Sequence, residues 1–236
     1  MSDAGSFQGR TVVVTGGAGA LGSAVVAAIL EAGGRVRVPE LAPVDHPSLA
    51  GWPLRDRVDL VGGVNLTDEA AVTRFYESGD VPWASIHVAG GFAFSPLADT
   101  TLGAFHAMIE INATTTFLCC REAVRRMRVG GQGGRIVNVA ARPALVPTAN
   151  LGAYSAAKAA VAALTLSLAE ELASEEIWVN AVAPSIFDTP ANRAAMPDAD
   201  HAAWPSPGEV AGTIVFLASP LNRVTRGGIV PVYGKV

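Results

Sequence analysis

The sequence predicts an α/β fold: one domain over residues 1–236, built on a doubly wound, mostly parallel seven-stranded sheet with helices on both faces. Three observations lead there. Short β-branched runs alternate with longer Ala- and Leu-rich stretches along the whole chain, with no linker and no internal repeat. Half of the 236 residues are hydrophobic and only 16% are charged, which suits parallel strands buried on both faces. The first and fourth predicted strands run into glycines, where a backbone can turn sharply out of a sheet.

Thr11-Val12-Val13-Val14-Thr15 is a β-branched run closed by glycines and reads as a buried strand. From about Leu21 to Ala32 apolar residues and alanines suit a helix, stopped by Gly33-Gly34. A second strand over Arg35 to Val38 is ended by Pro39. The third lies near Val58 to Gly62, and Thr67-Asp68-Glu69 open a helix towards Glu77. Ala84 to Val88 is the fourth strand. A helical stretch from roughly Leu102 to Arg128 is long enough to contain a break. Strand five covers Arg135 to Val139, a second long helix Tyr154 to Ala173, and strand six Trp178 to Ala183. Ser206-Pro207-Gly208-Glu209 has a capping-box pattern that starts a helix to about Ala218. Gly228 to Val232 is the last strand. The alternation implies right-handed crossovers.

Composition excludes several partners. Net charge is −4 with no basic stripe, so the electrostatic footprint of nucleic-acid binding is missing. Apolar stretches are broken by Gly or charge before the ~20 residues a bilayer needs, and no membrane partner is expected. Residues 1–5 lack the basic-then-apolar layout of a signal peptide. Cys119 and Cys120 read as two core thiols of a reducing compartment. A cytoplasmic location follows as an expectation. His46, His87, His106 and His201 are scattered without zinc-like spacing, and no metal is expected.

The segment Thr15 to Gly22 lies between the first strand and the first helix. Its glycines, Gly16, Gly19 and Gly22, let the backbone approach a pyrophosphate at the helix N-terminus, as in a Rossmann-type domain. Ala20 and Leu21 complete the turn into the helix. A cofactor-choosing acid belongs near the end of strand two, and Glu40 is there. Its carboxylate suits ribose hydroxyls and repels a 2′-phosphate, so NAD(H) is preferred and NADP(H) is the second choice. Arg35 and Arg37 are the cations close by in sequence.

These residues resemble the short-chain dehydrogenase/reductase family over essentially the whole chain. Thr15 to Gly22 resembles its Thr-Gly-x-x-x-Gly-x-Gly loop, with Ala20 in place of the middle glycine. Asn65-Leu66-Thr67 resembles the stretch beside the adenine, and His87-Val88-Ala89-Gly90 stands where Asn-Asn-Ala-Gly is usual. Tyr154-Ser155-Ala156-Ala157-Lys158 is the Tyr-x-x-x-Lys motif, and Asn112 resembles the family's helix asparagine. Pro184 and Thr189 resemble the segment that contacts nicotinamide. The family's serine, thirteen positions before the tyrosine, is replaced by Ala141. That loss, with Val88-Ala89-Gly90-Gly91 and the run from Asp188 through Arg193 to Trp204, is similar to the quinonoid dihydropteridine reductase subgroup, although Phe92 stands where that subgroup has Trp.

The resemblance implies an NAD(P)H-dependent reductase, with Tyr154, Lys158 and Asn112 as catalytic residues. Tyrosine can donate the proton that a hydride acceptor needs, and a nearby ammonium is expected to lower its pKa from about 10. Tyr154 and Lys158 are four positions apart and share a helix face. Lys158 is further implied to hold the nicotinamide ribose, and Asn112 a proton-relaying water. Around them the resemblance and the loop placement put Gly91, Phe92, Thr148, Met196 and Trp204, with residues 188–206 as a substrate-covering loop. Phe92 and Phe94 suit an aromatic wall, and Thr148 is the candidate to stand in for the serine.

Losing one preorganised donor commonly costs about 10²–10³ in rate. An unactivated ketone feels that loss fully, whereas an electron-poor, conjugated acceptor such as a quinonoid dihydropterin depends on it less. The alternatives are a short-chain carbonyl or alcohol oxidoreductase on another small substrate, and a non-catalytic dinucleotide-binding sensor. Alanines on the two long helices permit close packing between subunits, so a homodimer or homotetramer is expected.

Overall fold

A computed structural model describes residues 6–236; the reading of residues 1–5 lies outside them. Strands β1 (Thr11–Thr15), β2 (Arg35–Pro39), β3 (Asp59–Val61), β4 (Ala84–His87), β5 (Gly134–Val139), β6 (Ile177–Pro184) and β7 (Ile229–Val232) form one sheet. Their order is β3-β2-β1-β4-β5-β6-β7 and every adjacent pair is parallel. The direction of winding reverses between β1 and β4, which opens a crevice at their carboxyl ends.

The period-two alternation of each strand sorts the core into two layers. Val12, Val14, Ile86, Val137 and Val139 pack towards α1 (Ala20–Glu31) and α8 (Pro207–Ala218). Val13, Ile136, Ile177 and Val179 pack towards α3 (Glu69–Glu77) and α5 (Thr115–Gly130). Cys119 and Cys120 are both free and buried in this second layer. The predicted capping box is present, with Ser206 and Glu209 bonding reciprocally at the start of α8.

Two short helices escape sequence patterning. One is α2 (Pro47–Ala50), capped by His46, and the other is α7 (Pro190–Ala195), capped by Thr189. Neither spans two turns, so neither leaves a periodic signal. The long stretch after β4 divides into α4 (Leu102–Ile109), a π-helical turn over Glu110–Thr114, and α5.

The helix α6 (Gly152–Glu171) is apolar, with a mean hydropathy of 1.2 over an 18-residue window, and is interrupted by Lys158 and by Glu170-Glu171. Ala157, Val161, Ala162, Thr165 and Ala169 are buried on one side of it, and Lys158 is buried among them. That one-sided burial and the buried charge are those of a helix covering the sheet.

Candidate active site

Gly16 adopts φ +64°, and a Cβ there would lie 2.9 Å from the Ala89 amide nitrogen. Only glycine fits, because the loop after β1 crosses the loop after β4 at this point. Thr15 reinforces the crossing, its Oγ1 accepting the Ala89 N–H at 3.1 Å. A Cβ on Gly22 would strike the Gly16 carbonyl oxygen, and one on Gly17 would meet Val38 at 2.7 Å. The N-cap of α1, Gly19, has no side-chain cap and the first turn holds no acid. Open N–H groups at a helix start, behind a loop that admits no side chain at Gly16, Gly17 or Gly22, fit a dinucleotide pyrophosphate.

Pro39 does not displace Glu40. The strand pairing continues through it, with Glu40 N–H bonded to Val61 O and Glu40 O accepting from Val64. The half-buried carboxylate accepts the Ala18 N–H at 3.3 Å, and burial raises its pKa more than that bond lowers it. Neither nearby arginine reaches this end of the sheet. Arg35 pairs with Asp80 at 3.2 Å and bonds Thr11 at the start of β1. The Arg37 guanidinium is buried against Asp59, Phe75 O and Ser78. On the adenine side, Leu66 packs on the core while exposed Asn65 accepts both the N–H and the hydroxyl of Thr67.

Asn112, Lys158 and Tyr154 gather beside the glycine loop that follows β4. Asn112 sits in the π turn, fully buried, and its amide bonds Gly91 N–H at 3.2 Å, Gly91 O at 3.1 Å and Met108 O at 3.0 Å. The amide clamps the Gly90-Gly91 loop to the helix. A Cβ on Gly90 would sit 2.7 Å from Asn112 Oδ1 and 3.3 Å from Lys158 Nζ. Lys158 Nζ donates to Val139 O at 2.8 Å.

The expected coupling of Tyr154 and Lys158 is also corrected. Lys158 Nζ lies 6.0 Å from the Tyr154 ring centroid and is committed to Val139 O. Burial therefore dominates both groups, pushing Tyr154 up to about 12 and Lys158 down to about 8. Near neutral pH the phenol stays protonated and ready to donate.

Phe92 joins the site, its ring edge-on to Tyr154 with centroids 5.1 Å apart and 65% of its surface exposed. Phe94 is similarly exposed. Ala141 is buried at the mouth of β5. Thr148 does not take the serine's place, because its exposed hydroxyl bonds back to Val146 O at 3.2 Å. Pro184 closes β6 opposite Val232, and buried Thr189 spends its hydroxyl capping α7.

The loop over residues 188–206 is internally braced. Arg193 grips Asp188 through two bonds, and the His201 ring donates to Met196 O at 2.8 Å while packing on Trp204 at 4.6 Å. Met196 is partly exposed. Trp204 is buried and lines a separate cavity of about 250 Å³ with Pro205, Val210, Val232 and Lys235. Sequence reasoning placed Thr15 at the head of the glycine loop without its bond to Ala89, and missed Val139, whose contribution is a backbone carbonyl with no side-chain signature.

The family model for short chain dehydrogenase matches residues 10–200. The chain is 36% identical to cis-4-hydroxycyclohexanecarboxylate dehydrogenase of Sinomonas cyclohexanicum, over 97% of both chains. It is 34% identical to the NAD(+)-dependent 2-dehydro-3-deoxy-L-rhamnonate dehydrogenase of Sphingomonas sp. (strain SKA58), over 79% of this chain and 76% of that one. Among solved structures it resembles a short-chain type dehydrogenase/reductase from Mycobacterium ulcerans, with TM-score 0.87 and 25% identity over 97% of this chain and 90% of that one.

Proposed function

Because the chain belongs to the short-chain dehydrogenase/reductase family and is therefore an NAD(P)-dependent oxidoreductase, we propose that it runs as an NADH-dependent reductase of an activated, conjugated acceptor, for which a quinonoid dihydropterin is the model. The observation that carries this reading is Ala141, with the Thr148 hydroxyl turned away from it. Thr148 does not supply the serine's donor, so an acceptor that spreads its charge over a ring is favoured over a ketone.

The bound nicotinamide supplies the hydride. Tyr154, kept neutral by burial, delivers the proton to the atom that gains charge. Lys158, seated on Val139 O, would hold a ribose hydroxyl of the cofactor, and Asn112 fixes the Gly90-Gly91 loop. Phe92 offers a face for a planar acceptor beside Tyr154. Glu40 favours NADH, supported by the remoteness of Arg35 and Arg37 from that end of the sheet.

A second reading has its own support: the relatives are named for hydroxyl- and oxo-bearing substrates, which favours an alcohol or carbonyl oxidoreductase. NADH oxidation with freshly generated quinonoid dihydropterin, run beside a panel of cyclic ketones, separates the two. Turnover of the pterin, lost in Tyr154→Phe, supports the first. Turnover of ketones alone, raised strongly in Ala141→Ser, favours the second. A Tyr154→Phe/Lys158→Ala protein unchanged in every activity would revive the sensor.

The subunit interface follows from α6, whose exposed face carries Ala156, Ala159, Ala160, Ala163, Leu166 and Ser167. Such small side chains suit a homodimer or homotetramer, which sedentation of the protein by ultracentrifugation would test through its molar mass.

A further inference from the structure

The face of the sheet under α5 and α6 carries a continuous polar chain among its apolar residues. Ser85 and His87 are two residues apart on β4 and so share this face, and His87 is in direct register with Asn138 on β5. The chain runs from Tyr76 Oη to Ser85 Oγ (2.7 Å), Ser85 Oγ to His87 Nε2 (2.9 Å), and His87 Nδ1 to Asn138 Oδ1 (2.8 Å). It continues from Asn138 Nδ2 to Thr165 Oγ1 (2.9 Å) and from Thr165 Oγ1 to Val161 O (2.8 Å). Ser85, Asn138 and Thr165 are fully buried, and Tyr76 and His87 each expose only 2%. The other titratable groups facing the imidazole are the thiols of α5: Cys120 Sγ lies 3.5 Å from both His87 Nδ1 and Asn138 Oδ1.

Donor and acceptor accounting gives the chain one direction. Asn138 gives its N–H to Thr165, so its oxygen must accept, and His87 Nδ1 must carry the proton. His87 Nε2 then accepts from the Ser85 hydroxyl, and Ser85 accepts from Tyr76. The accounting fixes the proton on Nδ1, and every member is satisfied when the imidazole is neutral. Burial independently holds His87 in its neutral form, down to a pKa of about 4.

The chain ends on the catalytic helix. Val161, its terminal acceptor, is three residues after Lys158 on α6, and Asn138 precedes Val139, whose carbonyl seats Lys158 Nζ. His87 lies three residues before Gly90, the other neighbour of that ammonium. We propose that His87 is a positioning residue: its imidazole ties β4 to β5 and, through Asn138 and Thr165, to α6, thereby fixing the carbonyl on which Lys158 is held. The functional weight of this rests on the reading of Tyr154 and Lys158 given above, but the linkage itself does not.

The tautomer is measured on the unaltered protein by nitrogen-15 spectra of its four imidazoles, assigned by replacing His46, His106 and His201 with Gln in turn. The proposal requires His87 to remain Nδ1–H without titrating between about pH 5.5 and 8.5. An Nε2–H form, or a titration in that range, overturns it. His87→Asn then shortens the link. With cooperative unfolding retained, it should lower kcat about 10- to 100-fold, leave the KM for NADH within about threefold, and move the titration midpoint of Lys158. A folded His87→Asn protein with wild-type kcat and an unmoved Lys158 midpoint overturns the proposal. If instead no substrate is turned over by the parent protein, the reading of function fails, while the tautomer and the Lys158 midpoint still decide this one.

Discussion

Replacing Lys158 by Met should change how the protein's stability responds to pH. Burial lowers the Lys158 pKa from 10.5 to about 8. A gap of about 2.5 in pKa, at about 1.4 kcal/mol each, means that the folded state carries a penalty of about 3 kcal/mol while the amine is charged. The unfolded chain keeps its proton up to the ordinary value, so between pH 8 and 10.5 it binds more protons than the folded chain, and stability rises with pH across that window. Below pH 8 the penalty is constant. Met has no such titration, and it leaves Val139 O without a donor at every pH, a cost of about 1–3 kcal/mol. The stability of the parent protein minus that of Lys158→Met should therefore increase by about 2–3 kcal/mol between pH 7 and 10. Urea denaturation of both proteins at a series of pH values measures this, and other titrating groups cancel in the difference. A difference that is flat or falls with pH refutes the argument. The chain has only two lysines, Lys158 and Lys235, so labelled-lysine spectra give the midpoint directly, with exposed Lys235 as the internal reference.

Glu40→Gln should raise the NADPH-to-NADH ratio of kcat/KM by about 10- to 100-fold, roughly 1.4–2.8 kcal/mol of relieved repulsion; an unchanged ratio removes Glu40 from cofactor choice. Gly22→Ala drives a methyl group into the Gly16 carbonyl and should weaken NADH binding by about 100-fold or more, read by titrating NADH fluorescence; binding within a few-fold of the parent would mean the loop yields. Ser206→Ala removes the capping box of α8 and should cost about 1 kcal/mol in urea denaturation with turnover unchanged. A loss of turnover in that variant would tie α8 to the substrate loop.

The sheet and the cofactor loop were legible because their signals are local. Thr11–Thr15 is β-branched and glycine-ended, and Ser206 to Glu209 announces a helix start within four residues. The Tyr154–Lys158 pair was legible through the family motif, read together with the glycine loop and Asn112. What the pair does electrostatically was not, since the 2.8 Å bond to Val139 O and the burial of both groups depend on a strand distant in sequence. Thr148 illustrates the same limit at short range: its residue type suits a donor, but its rotamer directs the hydroxyl at its own loop. His87, met as one of four scattered histidines, acquires its meaning only from the register that sets it opposite Asn138. The sequence allowed for a break between Leu102 and Arg128, whereas the irregularity present is a π turn around Asn112, which has no composition of its own.

That turn behaves as a one-residue insertion retained within a continuous helix. Each residue advances a helix by about 100°, so the extra one in Glu110–Thr114 sets α4 out of phase with α5 by roughly that angle. Deleting a single residue there would restore a regular helix. It would also leave either the sheet-facing side of α5 or the amide of Asn112 pointing the wrong way. The chain can keep an unbroken rod or a clamp on Gly91, but with this length of loop before it, not both.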